Sequence, residues 1–137
     1  MLRVAVVGAN GFVGSRLVEQ WHLEGRAEIV PVVRRPEAAA SALRLALDCR
    51  VADALDERGL ACAFAGCDAV VHAAAGAGRF VTQSPAHVAR AAAEAGAQIV
   101  IYLSSMAVHG WDARPGTDET TPLPRRHPVP YLSLIHI

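Results

Sequence analysis

Lysine is absent from this sequence: all 13 basic residues among its 137 residues are arginine. They are balanced by 13 acidic residues, so the formal net charge is zero, and the arginines are scattered along the chain. A surface that binds nucleic acid or an anionic membrane concentrates positive charge in one region. We therefore expect no nucleic-acid partner.

Long hydrophobic runs are absent as well. A membrane-spanning helix needs about 20 consecutive apolar residues, and no run in the sequence approaches that length. Met1 is followed almost at once by an apolar, strand-like segment, without a charged leader or a small-residue cleavage site, which argues against secretion. We expect a cytoplasmic protein with no membrane partner.

Cysteine is scarce. Cys49, Cys62 and Cys67 are odd in number and lack the spacing of metal ligands. We interpret them as small buried apolar residues in a reducing compartment, and we expect no metal site. Apolar residues make up 53% of the chain and charged residues 19%, a composition that predicts one folded domain with a hydrophobic core.

Strand-like and helix-like segments alternate along the chain as far as Gly110. Strict alternation predicts right-handed crossovers, a parallel sheet and helices on both of its faces. The predicted fold class is α/β, a doubly wound parallel sheet of the Rossmann type, truncated after about five strands. Strands are predicted at residues 2–7, 28–33, 49–51, 69–72 and 99–103, and helices at residues 15–24, 37–47, 56–64 and 84–96, with Pro85 near the start of the last helix.

Three glycines lie between the first predicted strand and the first predicted helix. Gly8, Gly11 and Gly14 form a G-x-x-G-x-x-G motif. Glycine is needed where the backbone turns tightly, approaches a pyrophosphate, or lets a helix pack closely on a strand. The following helix presents free N–H groups and a positive dipole end to an anion. The motif predicts a dinucleotide-phosphate site; the alternative is a tight turn that holds no ligand.

This motif and four further segments together resemble the extended short-chain dehydrogenase/reductase family, of the NAD-dependent epimerase/dehydratase type. The resemblance extends over residues 1–131 and implies a Rossmann domain that binds NAD(P). It also implies hydride transfer between nicotinamide and a carbonyl or hydroxyl group of a small-molecule substrate. The further segments are Val-Ala-Asp at 51–53, Asp-Ala-Val-Val-His-Ala-Ala-Ala at 68–75, Tyr-Leu-Ser-Ser-Met-Ala-Val-His-Gly at 102–110, and Asp-Glu-Thr-Thr-Pro-Leu at 118–123.

The resemblance assigns residues to the cofactor. It implies that Asp53, after the third strand, contacts the adenine ring, and that the segment after the fourth strand lines the cofactor site. His72 is interpreted as a strand-end residue near the cofactor and not as a proton donor. The cofactor-binding residues implied by the motif and the resemblance are Gly8, Asn10, Gly11, Phe12, Val13, Gly14, Arg34, Arg35, Asp53, Ala54, His72, Ala73, Ala74, Ala75 and Ser104.

Two residues match the family's catalytic serine and tyrosine. The resemblance implies that Ser105 hydrogen-bonds the substrate oxygen, with Ser104 as the neighbour most easily confused with it, and that Tyr131 transfers the proton. The alternatives are a loop hydroxyl bonded to its own backbone and a partly buried aromatic ring. A lysine four residues after the tyrosine normally lowers its pKa from about 10, but that position holds Ile135.

Two arginines bear on the choice of cofactor. An acidic residue at the end of the second strand usually binds the ribose 2′-OH of NAD. Arg34 and Arg35 occupy that place, and a guanidinium pairs with a 2′-phosphate that a carboxylate would repel. We expect NADP to be preferred over NAD; the alternative is that both arginines are solvated surface charges.

The match to the family stops at Tyr131. We interpret residues 132–137 as a non-native tail that resembles a translated sequencing adapter, and residues 1–131 as an incomplete domain whose C-terminal substrate domain is missing. The last strand, at residues 99–103, would then be an exposed apolar edge, and the isolated chain poorly soluble. A homodimer is expected only of the full-length protein.

Three functions remain open at this point. The first is the cofactor-binding part of an NAD(P)-dependent reductase, dehydrogenase or epimerase. The second is a non-catalytic module that senses nicotinamide redox state, and the third is an inactive fragment. The short segment between His72 and Ser105 lacks the asparagine-containing helix signature of sugar-nucleotide epimerases, which puts a sugar nucleotide in doubt. A small ketone, aldehyde or steroid-like substrate remains open.

Overall fold

Five apolar segments of the chain form one parallel sheet in the structure, a computed structural model that describes residues 1–110 and 114–123. All neighbouring strands are parallel, and the first strand lies in the centre of the sheet. In chain order, the strands are β1 Arg3–Val7, β2 Glu28–Val33, β3 Arg50–Val51, β4 Ala69–His72 and β5 Ile99–Tyr102. Their spatial order in the sheet is β3-β2-β1-β4-β5.

Helices cover both faces of this sheet, because the strands are apolar on both sides. On one face, Val70 and Val32 pack with Leu60 and Val88, and on the other, Val6 and its neighbours pack with the first helix. The fold is therefore a doubly wound α/β Rossmann fold, as predicted. The α-helices are α1 Phe12–Leu23, α2 Ala40–Arg44, α3 Glu57–Phe64 and α4 Arg79–Glu94, and 3₁₀ helices span Pro36–Ala39 and Met106–His109.

The start of α4 was predicted wrongly. The helix begins at Arg79 and not at Ser84, so that Pro85 lies inside it. A proline there removes one backbone hydrogen bond and usually costs stability. The buried positions of the helix begin at Val81 and continue through Ser84 to Val88. Burial of Val81 stabilises the additional turn and a half at the start of the helix.

Two smaller predictions also needed correction. The alanine-rich segment at residues 37–47 forms only a 3₁₀ turn and the five-residue α2, because the chain turns at Ala46, whose φ is +54°. Of the three cysteines expected to be buried, Cys67 is buried, Cys49 is half-buried and Cys62 is exposed on α3. Burial raises the pKa of the Cys67 thiol, so the thiol stays protonated near neutral pH.

An arginine of β3 binds the end of α3. The Arg50 guanidinium donates to the carbonyl oxygens of Ala63 at 2.9 Å and Ala65 at 2.8 Å. These carbonyls belong to the end of α3, where the backbone has no helical partner. Arg50 also pairs with Asp48 at 3.2 Å. Arg50 therefore ties β3 to the end of α3.

The strands at the two edges differ. The β3 edge has only two residues, one of them charged, whereas the β5 edge is apolar and longer. Side chains from Ile99 to Leu103 are 36–49% exposed, which agrees with the predicted apolar edge. No α-helix in the described ranges is long and apolar enough to span a bilayer.

Candidate functional site

The glycine motif forms a tight turn between β1 and α1. Gly8 has φ +81°, and a Cβ there would lie 2.6 Å from the backbone nitrogen of Ala74. A Cβ on Gly14 would overlap the carbonyl oxygen of Gly8 and come within 2.9 Å of its carbon. Gly8 and Gly14 are thus required by close backbone approach. At Gly11, the nearest atom to a Cβ is 3.2 Å away, so this position is more tolerant.

Helix α1 begins directly after this turn. Its N-cap is Gly11, in an extended conformation, and no side chain of the described residues caps it. The first turn has no acidic residue, so the N–H groups of Phe12, Val13 and Gly14 and the positive end of the helix dipole remain available to an anion. A phosphate is the ligand that such a glycine turn and helix terminus favour.

A first cleft of about 390 Å³ opens beside this helix terminus. Its wall comes from the carboxyl ends of β1, β2 and β3 and from the segment after β4, which is where open α/β sheets bind ligands. The wall is mostly apolar, and Arg34 is its one charged residue among those described. The lining residues are Val7, Gly8, Asn10, Gly11, Phe12, Val13, Val32, Arg34, Ala52, Ala54, Ala73, Ala74, Ala75 and Phe80.

The two arginines after β2 are placed differently. Both are exposed, but only Arg34 lines the first cleft, whereas Arg35 caps the following 3₁₀ helix. Within residues 1–110 and 114–123, neither guanidinium forms an ion pair or a side-chain hydrogen bond. Arg34 is therefore available to an anionic group that lies in the cleft.

Asp53 lies between two residues of the first cleft without lining the cleft itself. Its neighbours Ala52 and Ala54 form the wall, while the Asp53 carboxylate accepts a hydrogen bond from the backbone N–H of Leu55 at 2.9 Å. This bond shapes the turn that leads to α3. The predicted contact between Asp53 and adenine stays a prediction.

A second cleft of about 200 Å³ adjoins the first. The two share Val13, the segment at 73–75 and Phe80, so they form one continuous groove along the carboxyl end of the sheet. The second cleft adds both predicted serines, of which Ser104 is exposed and Ser105 half-buried. Its lining residues are Val13, Ala73, Ala74, Ala75, Gly76, Phe80, Val81, Tyr102, Leu103, Ser104 and Ser105.

His72 is placed differently from the other predicted cofactor residues. Its side chain is 1% exposed and lines neither cleft. Burial lowers the pKa of His72 to about 4, so the ring is neutral at physiological pH. Its Nε2 lies 3.0 Å from the Oγ of Ser84 on α4. His72 therefore lies behind the wall of the groove, where a direct contact with a bound cofactor is not favoured.

The structure thus brings most of the predicted site residues together along one groove. Gly14, Arg35, Asp53 and His72 lie beside it or beneath it, and Tyr131 lies outside the described residues. Sequence reasoning missed Phe80, which lines both clefts, as well as Val32, Ala52 and Tyr102. Phe80 carried no local signal, because it follows the motif segment in a stretch without a recognisable pattern.

Metal ligation has no support in the part of the chain that is described. No group of three or more His, Cys, Asp or Glu residues lies close enough there to hold a metal ion. The groove is instead a backbone cradle for phosphate, continued by apolar walls and ending at two hydroxyl groups. These features define a dinucleotide-binding Rossmann protein.

Family comparison gives the same class. A family model described as NAD(P)H-binding matches residues 8–127. The chain belongs to this NAD(P)H-binding family, and it contains a nicotinamide-dinucleotide-binding domain. No curated protein matches the sequence.

Two solved reductase structures share about a quarter of the sequence. The NADPH-dependent quinone oxidoreductase QOR2 of Escherichia coli, in complex with NADPH, is 26% identical, with a TM-score of 0.64 over 72% of this chain and 35% of its own. The triphenylmethane reductase of Citrobacter sp., in complex with NADP(H), is 25% identical, with a TM-score of 0.64 over 74% of this chain and 37% of its own.

An epimerase shares the fold. The UDP-glucose-4-epimerase of Stenotrophomonas maltophila, with bound NAD and formylated UDP-arabinopyranose, is 22% identical. Its TM-score is 0.81 over 98% of this chain and 45% of its own. At this identity, the likeness concerns the fold alone. The chain spans less than half the length of each of these three proteins.

Proposed function

We propose that this chain binds NADP(H) along the groove and is the cofactor-binding part of an oxidoreductase or epimerase. The observation that carries the proposal is the glycine cradle at the N-terminus of α1, which opens on a groove with Arg34 near one end and Ser104 and Ser105 at the other. The adenosine half would lie in the first cleft and the nicotinamide in the second.

Each end of the groove supplies different chemistry. The N–H groups at the start of α1 would bind the pyrophosphate, and the alanine and valine walls would exclude water from the adenine ring. A bound nicotinamide supplies or accepts a hydride. Ser105 would hydrogen-bond the carbonyl or hydroxyl oxygen of the substrate and hold it near the second cleft. The role of Tyr131 as proton donor remains a prediction that rests on the resemblance alone.

The preference for NADP over NAD is supported by Arg34. Its exposed, unpaired guanidinium lies at the carboxyl end of β2, where a ribose 2′-phosphate would reach it. The two reductases that share about a quarter of the sequence were solved with NADPH and NADP(H). The wall offers no carboxylate to a free 2′-OH among its described residues.

Titrating the chain with NADPH and with NADH tests this preference. We expect NADPH to bind more tightly, and we expect Arg34→Ala to weaken NADPH about tenfold while changing NADH little, since one charge-assisted contact contributes about 1.5 kcal/mol or more. Arg35→Ala is the matched control, because Arg35 lies outside the cleft. Tighter binding of NADH to the unaltered chain would contradict the preference.

A non-catalytic nicotinamide sensor is the second candidate. It is favoured only if residues 132–137 are native, because position 135 then holds isoleucine and not the lysine that lowers the tyrosine pKa in the tyrosine route. Binding of NADPH without turnover of small ketones or aldehydes would support the sensor. Turnover that is lost in Ser105→Ala would support the enzyme. The cytoplasmic location and a homodimer of a longer protein remain predictions.

A further inference from the structure

A buried polar pair lies directly beneath the second cleft. His72, the last residue of β4, and Ser84, on the second turn of α4, are each 1% exposed. They are the two polar residues among the fully buried side chains of the described chain. Burial of polar groups in an apolar core costs free energy unless they are hydrogen-bonded. The 3.0 Å bond between His72 Nε2 and Ser84 Oγ satisfies one ring nitrogen, whereas the buried Nδ1 has no hydrogen-bond partner among the described residues.

This bond joins β4 to α4, the helix that follows β4 along the chain. His72 ends β4, which lies between β1 and β5, and its carbonyl accepts a hydrogen bond from the backbone N–H of Leu103 at 3.1 Å. Ser84 belongs to the helix that starts after the segment at 73–78. The bond therefore links the residues on either side of that segment, of which residues 73–75 form a wall shared by both clefts.

The His72 ring also supports two aromatic side chains of the second cleft. It packs edge-on against Phe80, with ring centroids 6.1 Å apart, and against Tyr102, with centroids 5.2 Å apart. Both rings line the second cleft. Phe80 in turn lies against Gly76, where a Cβ would meet the ring at 2.5 Å. Both rings thus pack on His72, and Phe80 also packs on Gly76.

From this geometry we infer that His72 is a positioning residue: through Ser84, Phe80 and Tyr102 it sets the shape of the second cleft, where the nicotinamide end of the cofactor would lie. This inference rests on the proposed function. The first cleft depends on it less, because the glycine cradle and the ends of β1, β2 and β3 form most of that cleft. His72 acts on the cofactor without touching it.

A role confined to stability predicts a different result. If the His72–Ser84 bond only stabilised the core, its loss would lower the melting temperature and affect every ligand of the groove alike. If the bond positions the second cleft, its loss weakens the nicotinamide end selectively. Two probes separate these cases: under the proposed function NADPH would occupy the whole groove, whereas 2′,5′-ADP would occupy only the adenosine half.

The experiment measures Kd for both probes, and the fluorescence of bound NADPH, in the unaltered chain and in Ser84→Ala. We expect Kd for NADPH to rise about tenfold, because one buried group loses its partner. We also expect weaker fluorescence enhancement of the nicotinamide, and Kd for 2′,5′-ADP within about twofold of the unaltered chain. Circular dichroism checks the fold, and His72→Gln is a second variant should Ser84→Ala not fold.

Val88→Ala is the matched control. Val88 is fully buried one turn further along α4, so this variant loses core packing without changing the His72–Ser84 bond. It should lower the melting temperature and leave the NADPH fluorescence unchanged. Equal weakening of both probes by Ser84→Ala, or unchanged NADPH binding, would overturn the inference alone. Failure of the unaltered chain to bind either probe would overturn the proposed function and this inference with it.

Discussion

The two clefts of the groove differ in the share of backbone and side-chain atoms in their walls. The first cleft is made largely of backbone and small side chains: the glycine turn, the N-terminus of α1, and alanines after β3 and β4. The second cleft adds the larger side chains of Phe80, Val81 and Tyr102 and the hydroxyl groups of Ser104 and Ser105. Its shape therefore depends on how these side chains are held.

This difference determines what can damage each cleft. The shape of a cleft made of backbone depends on local conformation, so it is lost where an added Cβ collides with the chain. A cleft made of side chains is fixed by packing from beneath, so it fails where a buried support is removed or charged. The glycine turn and His72 are the points at which these two kinds of dependence are strongest.

The largest expected effect is at the glycine turn. Gly14→Ala places a Cβ against the carbonyl group of Gly8, so either α1 or the turn must shift. We expect a loss of roughly 3 kcal/mol or more in the free energy of unfolding, and NADPH binding weakened by at least about a hundredfold, because the phosphate cradle is displaced. Chemical denaturation and fluorescence titration measure the two effects.

Gly11→Ala is the internal control for this substitution. Gly11 has φ −75° as the N-cap of α1, and the nearest atom to a Cβ there is 3.2 Å away. We expect its unfolding free energy to fall by less than about 1 kcal/mol. Equal damage by both substitutions would show that backbone clearance, which differs between the two positions, does not determine their tolerance.

The second largest effect is the dependence of the unfolding free energy on pH, through protonation of His72 beneath the second cleft. The pKa of His72 is about 4 in the folded chain, against an ordinary value of 6.5. The unfolded chain therefore binds the proton more readily between these values. Stability present above about pH 6.5 is lost as the pH falls towards 4, by up to about 3 kcal/mol. Urea denaturation at several pH values measures this loss.

The unfolding free energy should fall less steeply with decreasing pH in His72→Gln, which has no titrating group at this position. Carboxylates with lowered pKa values also titrate at the acidic end, among them Glu57, beside Arg90 and His87. They contribute equally to both proteins, so the difference between the two pH profiles isolates His72. Parallel profiles would show that the ring is not buried as the structure has it.

The smallest expected effect concerns the sheet edge beside the second cleft. Ile101→Lys places a charge on β5, where the side chain is 48% exposed. We expect less self-association of the chain, because charged residues on an edge strand oppose pairing with another edge. The unfolding free energy should change by less than about 1 kcal/mol. Sedimentation velocity measures the associated fraction.

Val51→Lys is the counterpart on the β3 edge, where the side chain is 49% exposed. That strand consists only of Arg50 and Val51 and already carries one charge, so an added charge should change association little. If the unaltered chain is monomeric at high concentration, or if both substitutions have the same effect, the β5 edge does not drive association.

Local patterns sufficed to predict the fold and the glycine turn beside the first cleft. The bounds of β2 and β4 agree with prediction, and Asp56 caps α3 by accepting from the backbone N–H of Gly59 at 3.1 Å. The start of α4 was missed because Pro85 indicates a helix start locally. The buried face that extends the helix back to Val81 is stabilised by packing in the folded chain, so it cannot be recognised from neighbouring residues alone.

The sequence by itself determined the alternation of strands and helices, the glycine turn and the arginine after β2, because each depends on neighbours along the chain. Only the tertiary structure decided that Arg34 and not Arg35 lines the cleft, that Phe80 joins the two clefts, and that His72 lies behind the wall, bonded to Ser84. Those placements depend on which side chains of separate elements meet, and that is set by packing across the sheet.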